Sequence, residues 1–168
     1  IEQVTSLTVF FQNITDFTGI QAFEALEKFY CSYNIVTSKV LNLTGNTNLK
    51  ELQCTDMEIT SLNVTGLTLL EAIKASRNDL SIVDVSTNAN LKELELSSNT
   101  LSDIDVSNNF LLEDLQIHET TLSTLNVSTN TKLTRIIASG NQLTMLNLEN
   151  NVLLDYLSLG NNPLESID

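Results

Sequence analysis

The chain has 168 residues, 42% of them hydrophobic, which is enough for one folded domain. Its 21 acidic and 8 basic residues give a formal net charge of −13, which argues against nucleic acid as a partner because such affinity comes largely from neutralising phosphates. No stretch approaches the roughly 18 consecutive apolar residues of a membrane span, so no transmembrane segment is predicted. The charge suits a solvated extracellular protein or a cationic partner.

Apolar residues recur along the chain at a nearly constant interval. Consecutive starts in the regular part of the chain lie 21 residues apart, and two less regular copies precede them. Self-similarity with a period of about 20–50 residues indicates a solenoid of stacked repeats. The eight predicted starts are Val4, Leu26, Leu49, Leu70, Leu91, Leu112, Leu133 and Leu154. They predict a single domain over residues 1–168. Both ends are expected to be truncated, because the chain lacks an initiator methionine and stops within a repeat.

The repeat that begins at Leu91 shows the pattern most clearly. Leu94 and Leu96 alternate with Glu93 and Glu95, as expected for a strand with one buried face. The full unit reads L-x-x-L-x-L-x-x-N-x-L, the signature of a leucine-rich repeat. We therefore predict that equivalent strands of successive repeats pair in parallel.

An asparagine follows the predicted strand in most repeats. Its amide can both donate and accept hydrogen bonds, so it can bind turn backbone groups that would otherwise be buried and unpaired. These structural asparagines are Asn34, Asn78, Asn99, Asn141 and Asn162. Met57 and Thr120 stand at the same position in two other repeats, where they cannot make all of these bonds.

The second half of each repeat is rich in Ser, Thr, Asn and Asp and has no helical spacing of apolar residues. We expect extended or single-turn structure there, on the convex side. The predicted fold is thus an α/β-class leucine-rich repeat solenoid, or horseshoe, with a parallel β-sheet on its concave face and little α-helix. Cys31 and Cys54 occupy equivalent positions in successive repeats, and we interpret them as buried thiols that act as small apolar residues.

Two parts of the chain resemble bacterial leucine-rich repeat proteins. The segment from Ile14 to Leu26 resembles the repeat of the internalins, which are bacterial surface proteins that bind host receptors. The later 21-residue units, with their Leu-x-Val-Ser-x-Asn phrase, resemble repeats in secreted and surface proteins of Bacteroidetes. These resemblances imply a secreted or cell-surface location and an adhesin-like role in binding a host or extracellular protein.

The variable residues of each strand are expected to point outward from the concave face. We predict a partner-binding surface there that comprises Tyr30, Gln53, Lys74, Glu93, Glu95, Asp114, Gln116, His118, Arg135, Ile137 and Tyr156. Its middle is expected to be acidic, and its tyrosines offer anchors near both ends, because interfaces are usually anchored by buried aromatic or arginine side chains. Two alternatives remain open, namely a structural spacer that presents another domain and recognition of a glycan by the tyrosines.

The sequence gives no support for catalysis, so the protein is not expected to be an enzyme. A Ser-His-acid set would need His118, the only histidine, with serines that the repeat already explains. One histidine with no cysteine nearby is poor spacing for a metal site, so neither a metal nor a cofactor is predicted. We expect a monomer.

Overall fold

The computed structural model describes residues 3–168; Ile1 and Glu2, the first residues of the predicted domain, lie outside it. Its strands, in chain order, are β1 (Ser6–Thr8), β2 (Lys28–Tyr30), β3 (Val40–Asn42), β4 (Glu51–Gln53), β5 (Ser61–Asn63), β6 (Ala72–Lys74), β7 (Glu93–Glu95), β8 (Asp114–Gln116), β9 (Arg135–Ile137), β10 (Met145–Leu146), β11 (Tyr156–Ser158) and β12 (Ser166–Ile167). A single 3-10 turn, Ile20–Ala22, is the only helix in this part of the chain. No helix among the described residues is long and apolar enough to cross a membrane.

Eight of these strands form one parallel sheet in the order β1-β2-β4-β6-β7-β8-β9-β11. Each of the eight begins two residues after one of the predicted repeat starts. The register pairs equivalent residues, so that Glu93 lies opposite Asp114 and Leu94 opposite Leu115. The predicted solenoid of parallel strands with little helix is confirmed.

The core is a continuous stack of apolar side chains behind this sheet. In the repeat that begins at Leu91, the side chains of Leu91, Leu94, Leu96 and Leu101 are all fully buried. Residues on either side of the buried strand centre remain partly exposed, because successive strand residues point to opposite faces. Each repeat therefore packs mainly against its two neighbours, as expected of a solenoid.

The opposite side of the solenoid, called the back side below, is extended rather than helical. There β3 pairs with β5, and β10 pairs with β12, both in parallel. The three intervening repeats have no strand on this side. This agrees with the expectation of extended or single-turn structure.

The asparagines that follow the strands bind backbone groups of two successive repeats. Asn78 accepts hydrogen bonds through Oδ1 from the backbone N–H groups of Met57 and Ile59, at 3.0 and 3.1 Å. Its Nδ2 donates to the carbonyls of Cys54 and Ala75. One side chain thus closes the turn of its own repeat and holds the turn of the preceding one.

Cys31 and Cys54 are both buried and free, with no disulfide between them. Burial raises the pKa of the Cys54 thiol to about 12. Burial also raises the pKa of Cys31, and the neighbouring Cys54 adds to that shift. Both thiols therefore stay protonated and unreactive at neutral pH.

Candidate binding face

The first and third residues of the eight paired strands project away from the core and form the sheet face. Ten of the eleven predicted partner-binding residues lie at these positions, and His118 lies two residues beyond β8. Their side chains are half-buried or exposed. The sheet therefore brings the predicted residues together on one surface.

Lys74 connects two acidic side chains at the centre of the sheet face. Its Nζ lies 2.7 Å from Glu93 Oε1 and 3.0 Å from Glu95 Oε1 on the neighbouring strand. Burial lowers the pKa of Lys74, but the two carboxylate partners outweigh this and the pKa is raised. The pKa of the half-buried Glu95 is also raised, because burial disfavours its charge more than the bond from Lys74 favours it.

The network continues across the next strands. Gln116 Nε2 donates to Asp114 Oδ2 at 3.1 Å and to Glu95 Oε1 at 3.4 Å. Arg135 Nη1 donates to Asp114 Oδ2 at 3.0 Å. The Arg135 guanidinium also lies over the ring of Tyr156, 5.2 Å from its centre. Side chains from Lys74 to Tyr156 are thus connected across five neighbouring strands.

A second, smaller network lies at the N-terminal end of the sheet face. Lys28 Nζ lies 2.6 Å from Glu51 Oε1, and the Tyr30 hydroxyl donates to Glu51 Oε2. Both hydrogen bonds lower the pKa of Glu51, and the bond from Lys28 has the larger effect. The hydrogen bond between Tyr30 and Glu51 raises the pKa of Tyr30, because the carboxylate stabilises the protonated hydroxyl.

Ion pairs neutralise only part of the expected acidic centre. Glu93 and Glu95 share Lys74, and Asp114 is paired with Arg135. Glu119, at the edge of the region, instead accepts a hydrogen bond from Ser98. The surface presents charges of both signs in fixed positions.

His118 has a different setting from the other predicted residues. It belongs to a column of mostly small hydroxyl residues at the ends of the strands, two of which, Ser32 and Ser97, are buried. Its backbone N–H donates to Ser97 Oγ at 3.2 Å, while its own Nδ1 is buried without a hydrogen-bond partner among residues 3–168. Within the same residues, no group of three or more His, Cys, Asp or Glu side chains is placed to hold a metal ion.

Sequence reasoning missed the aromatic pairs beside the first two repeats. Phe11 stacks on Tyr33 with ring centres 4.2 Å apart, and Phe10 stacks on Tyr30 at 6.1 Å. Phe11 and Tyr33 both come seven residues after a repeat start. That shared position was the signal that could have predicted their contact.

The chain is similar to solved structures of Listeria monocytogenes internalins. The functional domain of InlJ matches with a TM-score of 0.94 and 38% identity, over 98% of this chain and 36% of that one. The chain is a bacterial internalin-like leucine-rich repeat protein. It spans only about a third of the length of the InlJ structure.

Two other internalins share the fold of this internalin-like chain at lower identity. Internalin C2 matches with a TM-score of 0.80 and 21% identity, over 96% of this chain and 74% of that one. The internalin InlF matches with a TM-score of 0.70 and 22% identity, over 92% and 57%. No protein-family model matches the chain, and no curated protein matches it. The predicted likeness of the later units to Bacteroidetes repeats stays a prediction.

The InlJ domain is described as including a cysteine ladder. In the internalin-like chain, Cys31 and Cys54 occupy equivalent positions of two successive repeats. The same position in the next repeats is occupied by Ala75, Leu96 and Ile117, all buried. Aliphatic side chains thus replace the thiol in these three repeats.

Proposed function

We propose that this chain is a non-catalytic, adhesin-like binding module of a secreted or cell-surface bacterial protein. It binds a host or extracellular protein through the sheet face, the concave face of the predicted horseshoe. The observation that carries the proposal is the hydrogen-bonded network that connects outward-facing side chains from Lys74 to Tyr156.

This network has little value for folding, because exposed ion pairs contribute only about 0–1 kcal/mol each. For binding it has two consequences. Side chains already held in place lose less entropy when a partner docks. Charges of both signs in fixed positions also select a partner with the complementary pattern.

Aromatic side chains flank the network and supply anchors. Tyr156 is half exposed beneath the Arg135 guanidinium. Tyr30 lies at the other end, held by Glu51 and stacked on Phe10. Tyrosine and arginine are among the residues that most often dominate interface energies. The open sheet also favours binding over catalysis, since it leaves its side chains in contact with water.

A binding screen against host surface proteins, extracellular matrix proteins and glycans tests the proposal, with two salt concentrations for each hit. Lys74→Gln removes the cation that pairs with Glu93 and Glu95 in the network. Lys132→Gln is the matched control, because Lys132 is exposed in a turn away from the sheet strands. We expect Lys74→Gln and Tyr156→Ala to weaken a protein hit about tenfold, roughly 1.4 kcal/mol, with Lys132→Gln unchanged.

If the parent and all of these variants bind a protein hit equally well, the sheet face is not the binding site. A hit on glycans alone would replace the protein partner with a sugar. Circular dichroism of each variant checks whether the fold is intact.

A further inference from the structure

A groove on the back side is lined by residues of four successive repeats. It consists of two adjoining cavities of about 490 and 340 Å³ that share Asp103, Ile104 and Asp105. We call this the back groove, with Ile82 at one end and Met145 at the other. These two side chains are 77% and 59% exposed, whereas Ile104 and Leu125 on its floor are nearly buried.

Three backbone segments along this groove are not paired with neighbouring repeats. In the neighbouring repeats, β3 pairs with β5 and Leu43 N–H donates to the Asn63 carbonyl. By contrast, residues 82–84, 103–105 and 124–126 neither donate nor accept a backbone hydrogen bond within the described chain. Their N–H and C=O groups therefore remain available along three consecutive extended segments.

Like charges help to explain why two of these segments do not pair. The strand pair β3–β5 places Asn42 opposite Asn63. Asp84 and Asp105 occupy the equivalent positions of the next two repeats. Like charges directly opposite each other destabilise strand pairing.

The carboxylates of the back groove also lack cations. Asp84, Asp103 and Asp105 take part in no ion pair within residues 3–168, whereas Lys74, Lys92 and Arg135 are paired with acids on or beside the main sheet. Ser86 and Ser107 donate hydrogen bonds that lower the pKa of Asp84 and Asp105, so both remain charged. The groove thus has an apolar floor, apolar side chains at both of its ends, and three aspartates whose negative charge is not paired.

We propose that the back groove binds an extended basic segment of a protein, in which apolar residues alternate with lysine or arginine. The apolar side chains pack on Ile104 and Leu125 and against Ile82 and Met145. The cationic side chains pair with the three aspartates, and polar backbone groups of the bound segment can form hydrogen bonds with the unpaired backbone groups that it crosses. This surface lies on the opposite side from the sheet face, so the proposal does not depend on the proposed function.

The probe is a fluorescent peptide of about eight residues, a typical strand length, that alternates valine and lysine. A peptide that alternates valine and glutamate is its control. Fluorescence anisotropy with the 168-residue chain measures the affinity of each. We expect binding of the lysine peptide only, and we expect it to weaken at higher salt.

The decisive variant is Asp84→Asn/Asp103→Asn/Asp105→Asn. Asparagine removes the charge and keeps the local turn, since Asn126 makes the equivalent bond to the Ser128 N–H at 3.1 Å. The matched control, Glu24→Gln/Glu113→Gln/Asp155→Asn, removes three charges from exposed positions that do not line the groove. We expect the groove variant to weaken binding about tenfold and the control variant to change it little.

Amide chemical shifts provide a second readout. On addition of the lysine peptide we expect the largest changes at residues 103–105 and 124–126. Equal losses of affinity in the two triple variants would reduce the binding to general charge attraction and overturn the proposal. Failure of the lysine peptide to bind, or shift changes confined to the strands of the main sheet, would overturn it as well.

Discussion

A single asparagine side chain connects two repeats, and this explains how small substitutions affect the solenoid. Asn141 accepts a hydrogen bond from the Leu122 N–H and donates to the carbonyls of Ile117 and Ala138. Thr120, at the same position one repeat earlier, instead has its hydroxyl within hydrogen-bond distance of the Ile117 carbonyl and Asn141 Oδ1, which share its single proton. Within residues 3–168, the buried Leu101 N–H therefore has no acceptor.

We expect Thr120→Asn to raise the free energy of unfolding by about 1 kcal/mol, because it supplies the missing acceptor. The reverse change one repeat earlier, Asn99→Thr, should lower it by at least as much, since it removes the acceptor of the Leu80 N–H. Urea denaturation of both variants and the parent measures these differences. A loss of stability in Thr120→Asn would show that the threonine is better accommodated than its hydrogen bonds indicate.

The strands contribute to the core through their central residues, and their contribution depends on how many neighbours they have. Leu94 at the centre of β7 is fully buried between β6 and β8. Leu157 at the centre of β11 is 39% exposed, because within the described chain β11 pairs only with β9. The same side chain at the same repeat position thus buries different amounts of apolar surface.

We expect Leu94→Ala to lower the free energy of unfolding by about 2–5 kcal/mol, the cost of a cavity in a packed core. Leu157→Ala should cost clearly less, because its side chain is already partly in water. Thermal and urea unfolding of the two variants compare them directly. Equal losses would mean that burial of the strand centre does not set its contribution.

The carboxylates that connect neighbouring strands should respond to pH in opposite ways. The pKa of Glu51 is lowered by Lys28 and Tyr30, so its stabilisation is full above the unfolded value of about 4.3 and is lost as pH falls through the folded pKa. The pKa of Glu95 is raised by burial. Its ionisation therefore costs stability as pH rises from the unfolded value through the folded one.

We accordingly expect Glu51→Gln to destabilise the protein near neutral pH and to reduce the loss of stability on acidification. Glu95→Gln should instead reduce the loss of stability that occurs as pH rises through the pKa of Glu95. Urea unfolding between about pH 3 and neutral pH measures both profiles, and Glu24→Gln at an exposed position is the control. Parallel profiles for the parent and Glu51→Gln would exclude the assigned role of its ion pair.

At the scale of the whole molecule, the net charge of −13 opposes compaction. Local ion pairs such as those of Lys74 and Arg135 offset only part of this repulsion, because 21 acidic residues face 8 basic ones. Salt screens both effects, but repulsion among unpaired charges acts over longer distances and is screened more completely.

Raising sodium chloride from about 0.02 to 0.2 M should therefore raise the melting temperature, since the Debye length falls below the spacing of many surface charges. Differential scanning calorimetry at constant pH checks the direction. A melting temperature that falls with salt would mean that the ion-pair networks outweigh the net repulsion.

The sequence by itself determined the repeat, the parallel sheet and the set of residues on its outward face. Leu91, Leu94 and Leu96 predict a strand because period-two alternation is a local property of the chain, and its recurrence places equivalent residues side by side. Tertiary structure alone decided which charged side chains meet. Lys74 could reach acids on either neighbouring strand, and packing directs it to Glu93 and Glu95 rather than to Glu51.

Tertiary structure also decided where the back side stays open. The segments at Asp84 and Asp105 have the same apolar spacing as the paired segment at Asn63, so periodicity does not distinguish them. Backbone pairing between repeats depends on the charges and distances that adjacent turns impose on each other. Those distances exist only once the solenoid is assembled, and for this reason the sequence predicted the fold and its outward face but not the back groove.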